Sequence, residues 1–275
     1  MQGKVLYLSN LLKNNMKMKK RTVMMLLLAT LLYLPVIQSQ EIIAHRGFWK
    51  TEGSAQNSIT ALMKADSIGV FGSEVDIWIS SDGIPVVNHD ATVTLDGKKL
   101  RVEDTPFGTL RKVKLSNGEQ MPTVEEYLNA FEKCKKVKLI IEFKSHTVKE
   151  RETELARKVI DMVHQRGLKD KVEYIAFGIH FLQLVRQLDP QASIYYLNGD
   201  MSPAVLSSMG VSGLDYHYNV LFNHPQWVEA AHKLGQKVNV WTVNKAEDIQ
   251  KVIDLKVDFI TTDEPLRVKE IIKNR

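Results

Sequence analysis

The sequence predicts a single (β/α)₈ barrel of the TIM type, with a small insertion after its second strand. Three observations predict it. From residue 42 onward, eight short β-type runs alternate with eight amphipathic helical ones. Each β-type run is apolar almost throughout, as a strand covered on both faces requires. Gly69, Gly167, Gly210 and Gly235 fall where a helix would stop before the next strand. A doubly wound open sheet competes, but it gives no reason for a count of eight.

In order, the predicted strands span residues 42–45, 73–79, 138–143, 172–177, 193–197, 213–216, 237–243 and 258–262. The predicted helices span 58–68, 124–134, 149–165, 181–188, 203–209, 225–234, 246–255 and 266–273. One stretch, 85–122, breaks the alternation. After Pro-Val-Val-Asn-His-Asp it turns polar, with Asp96-Gly97 and Asn117-Gly118 as turn signals. It reads as an insertion, about residues 91–122, between the second strand and its helix, holding a small hairpin. No repeat, linker or second-domain boundary is visible, so residues 40–275 are expected to form one domain.

The first 39 residues read differently. Lys17, Lys19, Lys20 and Arg21 precede an apolar run over 23–34, broken by Pro35 and followed by Val-Ile-Gln-Ser-Gln. A basic segment, a short apolar core and a small residue, Ser39, at its end make a signal peptide. The run is shorter than the roughly 20 residues of a membrane span, so an uncleaved anchor is the lesser reading. Export to the periplasm or medium is expected, with no stable membrane anchor after the signal is removed. The net charge of +5 also shifts, because residues 1–39 hold six Lys or Arg and no acid, leaving 31 bases against 32 acids. A mature chain so balanced is not expected to bind nucleic acid. The lone cysteine, Cys134, excludes an internal disulfide framework and reads as a packed thiol.

Barrels carry their sites at the carboxyl ends of the strands. There this sequence puts His45 and Arg46, then Glu74 and Asp76, then His89, then Glu142 and Lys144, and finally Trp241. Glu74 and Asp76, two apart on one strand, share a face, with Val75 between them turned to the helices. Two carboxylates so placed repel unless a proton or a cation holds them, and Glu142 offers a third donor. An all-carboxylate set selects a hard cation, Ca²⁺ or Mg²⁺, with Mn²⁺ also within that chemistry. A salt-bridge network with Lys144 and Arg46 explains the same acids without a metal. His45 and His89 are the natural proton carriers, and Arg46 offers a fork to phosphate oxygens. Trp241 suits a substrate wall or a packed core equally. His164 and His232 read as helix-surface residues, while His217 stays open.

Ile-Ala-His45-Arg46-Gly47, Asn57, Glu74-Val-Asp76, Val-Val-Asn-His89-Asp90 and Pro122-Thr-Val-Glu125 occur in this order. Ile-Ile-Glu142-Phe-Lys144, Val-Trp241-Thr-Val-Asn244 and Ile-Thr-Thr-Asp263-Glu-Pro265 follow. In order and spacing the set resembles the glycerophosphodiester phosphodiesterase family, across residues 41–273. That resemblance implies Glu74, Asp76 and Glu142 as ligands of one divalent cation. It implies His45 and His89 as general base and acid, Arg46 and Lys144 on the phosphate, and Phe177 against the glycerol. The implied reaction splits a small phosphodiester into glycerol 3-phosphate and an alcohol. Two departures stand out. The family usually has Pro-Glu-Asn-Thr where this chain has Ala55-Gln56-Asn57-Ser58, and often Ser-Phe where it has Ala176-Phe177. Gln56 removes a charge near the site, which bears on metal affinity or substrate preference. The alternatives are another phosphodiester (a lysophospholipid, sugar phosphodiester or glycerol-phosphate polymer) and a non-catalytic barrel that binds phosphorylated ligands.

Overall fold

Eight parallel strands close on themselves in the computed structural model, which describes residues 40–275. The signal-peptide reading of residues 1–39 lies outside the described residues. The barrel strands are β1 (Glu41–Ala44), β2 (Gly72–Ile79), β6 (Lys138–Phe143), β7 (Val172–Ala176), β8 (Ile194–Tyr196), β9 (Gly213–His217), β10 (Lys237–Trp241) and β11 (Phe259–Thr262). They follow one another in sequence order, and β1 pairs with both β11 and β2, which closes the ring. Between them run α1 (Ile59–Ile68), α2 (Phe107–Leu110), α3 (Val124–Phe131), α4 (Lys149–Gln165), α5 (Ile179–Leu188), α6 (Pro203–Ser208), α7 (Tyr218–Asn223), α8 (Gln226–Lys233), α9 (Ala246–Asp254) and α10 (Pro265–Lys273). Among the described residues no helix is long and apolar enough to cross a membrane.

Alternation sorts each strand between two cores. Val75, Ile77, Leu139, Ile141, Tyr174, Leu214, Tyr216, Val238 and Val240 face outward into the layer shared with the helices. Ile43, Ile140, Ile175, Tyr195, Leu197 and Phe259 fill the barrel's interior. The helices begin and end where local chemistry directs. Ser58 accepts the Ala61 N–H to cap α1, and Thr123 and Glu126 form a reciprocal capping box on α3. The four expected stop glycines all adopt left-handed backbone, at φ 63, 66, 71 and 73.

The insertion is more structured than a polar loop. Pro85–Val87 forms β3, antiparallel to the end of β2. Thr92–Leu95 and Lys98–Arg101 form the hairpin β4–β5, turning at Asp96-Gly97 with φ of 49 and 75. Trp78, Val86, Val93, Val102, Leu110 and Met121 give it a small core of its own. Two short helices escaped the sequence reading, α2 behind Pro106 and α7 after β9. At four and six residues each is shorter than two turns, too short to show a period. The predicted seventh strand also ends early, at Trp241, though Val243 N–H still donates to the Thr261 carbonyl.

Candidate active site

Three carboxylates meet at the carboxyl end of the barrel. Alternation turns Glu74 and Asp76 inward from β2, and the β2–β6 register sets Glu142 directly beside Asp76. One oxygen from each lies within 4.8 Å of the other two, and all three residues are buried. Glu74 Oε2 accepts the Arg46 backbone N–H at 2.7 Å, whereas Oε1 has no partner. Asp76 Oδ2 accepts from Asn57 Nδ2 at 2.8 Å. Lys144 Nζ stands 2.7 Å from Asp76 Oδ1 and 2.6 Å from Glu142 Oε1.

The electrostatics of this cluster are uneven. Burial pushes the Glu74 carboxyl well above the usual range, and repulsion from Asp76 and Glu142 adds to it. Burial and Asp76 push Glu142 up in the same way. Burial acts against Asp76 too, but Lys144, His89 and Asn57 overcome it and hold that carboxyl low. Lys144, together with Arg46 Nε at 3.5 Å from Asp76 Oδ2, therefore does form the salt-bridge network that the sequence allowed. Both cations pair with Asp76, and they leave Glu74 Oε1 unsatisfied. A hard divalent cation fits this donor set.

The two imidazoles flank the acids. His45 Nδ1 donates to Asp263 Oδ1 at 2.8 Å, which leaves Nε2 as the acceptor nitrogen of a ring that lines the cleft. Asp263 is itself held by Asn244 Nδ2 at 2.8 Å and Trp49 Nε1 at 3.1 Å. Partial burial would raise the Asp263 carboxyl, yet the hydrogen bonds from His45, Asn244 and Trp49 bring it down to about 2. His89 Nδ1 lies 2.7 Å from Asp90 Oδ1, and burial lowers the His89 pKa while Asp76 opposes the shift.

A tight turn after β1 links these groups. Arg46 and Gly47 take φ of 56 and 77. This aims the Arg46 N–H at Glu74 while its Nη1 donates to Gln56 Oε1 at 2.7 Å. A Cβ on Gly47 would fall 2.6 Å from Ala61 Cβ, so only glycine fits.

The groups line an open cleft of about 460 Å³. Phe177 and Trp241 form its wall, edge to face at 5.7 Å, and His217 packs edge-on against Trp241 at 5.3 Å. A polar groove of about 700 Å³ adjoins it, lined by Trp49, Gln56, Asn88, Asp90 and Ser116. Arg46 and His89 line both spaces.

Of the nine site residues expected from the sequence, eight line the cleft: His45, Arg46, Glu74, His89, Glu142, Lys144, Phe177 and Trp241. Asp76 lies buried beneath, bonded to Asn57. His217, left open by the sequence, packs against Trp241 without lining the cleft itself. His164 and His232 are on helix surfaces as expected, but each bonds a buried aspartate, Asp189 and Asp258. His146 is buried, donating Nδ1–H to the Lys144 carbonyl and accepting the Ile79 N–H. Sequence reasoning assigned no role to Asp263, Asn57, Asn244 or Asp215. A signal existed for Asp263, an acid at the end of the last strand with inward parity.

The description "Glycerophosphoryl diester phosphodiesterase family" belongs to the family model that matches residues 45–267. A glycerophosphodiester phosphodiesterase of Caldanaerobacter subterraneus is 29% identical over 245 residues, spanning 84% of this chain and 97% of its own. The crystal structure of a glycerophosphodiester phosphodiesterase from Parabacteroides distasonis is 42% identical, with a TM-score of 0.83, covering 86% of this chain and 98% of that one. A phosphodiesterase of Oleispira antarctica, solved in complex with the product sn-glycerol-3-phosphate, shares the fold at 23% identity and a TM-score of 0.74, over 85% and 96% of the two chains. With the model match spanning most of its length, this chain belongs to the glycerophosphoryl diester phosphodiesterase family.

Proposed function

We infer that this chain is a phosphoric diester hydrolase that splits glycerophosphodiesters into glycerol 3-phosphate and an alcohol. The observation that carries the reading is one cleft where three buried carboxylates, two imidazoles, a guanidinium and an ammonium converge. Family membership and the glycerol 3-phosphate held by the Oleispira antarctica relative support it.

Glu74, Asp76 and Glu142 would hold one divalent cation, Ca²⁺, Mg²⁺ or Mn²⁺. Bound there, it supplies charge to offset the developing negative phosphoryl oxygens and to acidify a nearby hydroxyl. Arg46 presents its fork to the phosphate, and Lys144 adds a second positive charge. His45 acts as base, because Asp263 takes its Nδ1–H and leaves Nε2 as an acceptor. Its Nε2 takes the proton of the glycerol hydroxyl beside the ester, and that oxygen attacks phosphorus. His89 protonates the departing alkoxide. Lys144 and Arg46 both disfavour a charged His89. An anionic diester seated between them cancels part of that effect and so favours the acid form. Water then opens the resulting cyclic phosphate, with the two imidazoles exchanging roles.

The test is direct. Metal-stripped protein is assayed for glycerol 3-phosphate release from glycerophosphocholine and glycerophosphoethanolamine with Ca²⁺, Mg²⁺ or no metal. Release only with metal is expected, and no release under any condition would overturn the reading. On the signal-peptide reading of residues 1–39, the enzyme works in the periplasm or medium. Cell fractionation with N-terminal sequencing of the mature chain tests that.

A further inference from the structure

We propose that Asp215 recognises the free terminal hydroxyl of the substrate's glycerol, and so restricts the site to glycerol esters unmodified at that position. This rests on the hydrolase reading above and deepens it, naming what the buried residues at the floor of the cleft read. Leu214 and Tyr216 pack in the outer layer, so alternation turns Asp215 into the barrel. It stands on β9, four strands from β2 in either direction, and therefore faces the acidic cluster across the cleft. Its side chain is 2% exposed, and Oδ1 has no hydrogen-bond partner. Native proteins seldom leave such an atom unsatisfied without a use for it.

The surroundings specify what would satisfy it. Ile175, Leu197 and Trp241 give that end apolar walls, and the Trp241 indole N–H fixes Asp215 through its backbone carbonyl at 2.9 Å. Burial pushes the carboxyl up to about 7, against which Asn239 supplies a hydrogen bond. A short carbon chain ending in one hydroxyl matches this environment. Its carbons lie on the apolar walls, and its hydroxyl can pair with either form of the carboxyl. An anionic group would be repelled. An acyl ester in place of the hydroxyl would bring no donor, and would meet a floor whose Ile175, Leu197 and Thr261 are at most 4% exposed.

The experiment compares kcat/KM on glycerophosphocholine with that on 2-hydroxypropyl phosphocholine, which keeps the attacking hydroxyl and lacks the terminal one. The full chain is used, with metal, as wild type, Asp215→Asn and Asp215→Leu. Wild type should prefer the glycerol ester by roughly 10- to 100-fold. Asp215→Leu should bring the ratio to within about threefold, with Asp215→Asn between. Should thermal unfolding show that Asp215→Leu does not fold, a drop in the Asp215→Asn ratio carries the test alone. A wild type that does not discriminate, or a ratio unmoved in the folded variants, overturns the assignment. A purely structural Asp215 would lower both rates together and leave the ratio alone. Failure of the hydrolase reading has a separate signature, no turnover of either ester by wild type. In that case calorimetric binding of glycerol 3-phosphate against 2-hydroxypropyl phosphate still reads the same ratio.

Discussion

Asp263 shows how one side chain reaches two properties of the molecule. It holds His45 through Nδ1 and is itself clamped by Asn244 and Trp49. Asp263→Asn would present an amide that can donate to Nδ1 and so favour the wrong imidazole tautomer. We expect kcat to fall by about 10²- to 10⁴-fold with the fold retained, as for other carboxylates that orient a catalytic imidazole. The same contacts bring its carboxyl to about 2 in the folded chain, against about 3.9 unfolded. A depressed carboxylate stabilises the fold above the unfolded value and loses that contribution as pH falls through the folded one. Wild type should therefore exceed Asp263→Asn in melting temperature above about pH 4, with the gap closing toward pH 2. A gap that widens on acidification would contradict the assignment.

At the scale of elements, the turn after β1 joins chemistry to packing. Its left-handed Arg46 and Gly47 aim the Arg46 N–H at Glu74 while seating the chain against α1. Gly47→Ala would set a methyl against Ala61 at 2.6 Å, in a backbone region that L residues avoid. Strain and overpacking together should cost about 2–5 kcal/mol in urea unfolding. Any folded fraction should bind metal more weakly, because the turn that fixes Glu74 has moved. Unchanged stability would mean that α1 yields more readily than its packing suggests. The β4–β5 hairpin lies at the other extreme, since its Asp96-Gly97 turn is local chemistry that needs no tertiary contact to specify it.

For the whole molecule, the cost of function is concentrated at the barrel mouth. Three acids buried together repel one another despite Lys144 and Arg46 beside them, and a cation bound there would relieve that repulsion. Ca²⁺ or Mg²⁺ should raise the melting temperature in proportion to the logarithm of its excess over Kd. Glu74→Gln should melt a few degrees above metal-free wild type, having lost a carboxyl whose ionisation burial opposes, and should no longer respond to metal. Equal metal-induced shifts in both proteins would place the cation elsewhere.

The fold class was legible because strands covered on both faces must be apolar and helices on a barrel must be amphipathic, so the count of eight is written locally. Parity along β2 likewise set Glu74 and Asp76 on one face, and strand-end position marked His45, Arg46, His89, Glu142 and Lys144. What only the tertiary structure decided is which groups complete one another across the ring. Asp263 reaches His45 over 218 positions of chain, Asn57 reaches Asp76 from a loop, and Asp215 faces the acids from the opposite strand. The same holds for the unpartnered oxygens of Glu74 and Asp215. An unsatisfied atom is a property of everything around it, and closing the barrel is what brings those surroundings together.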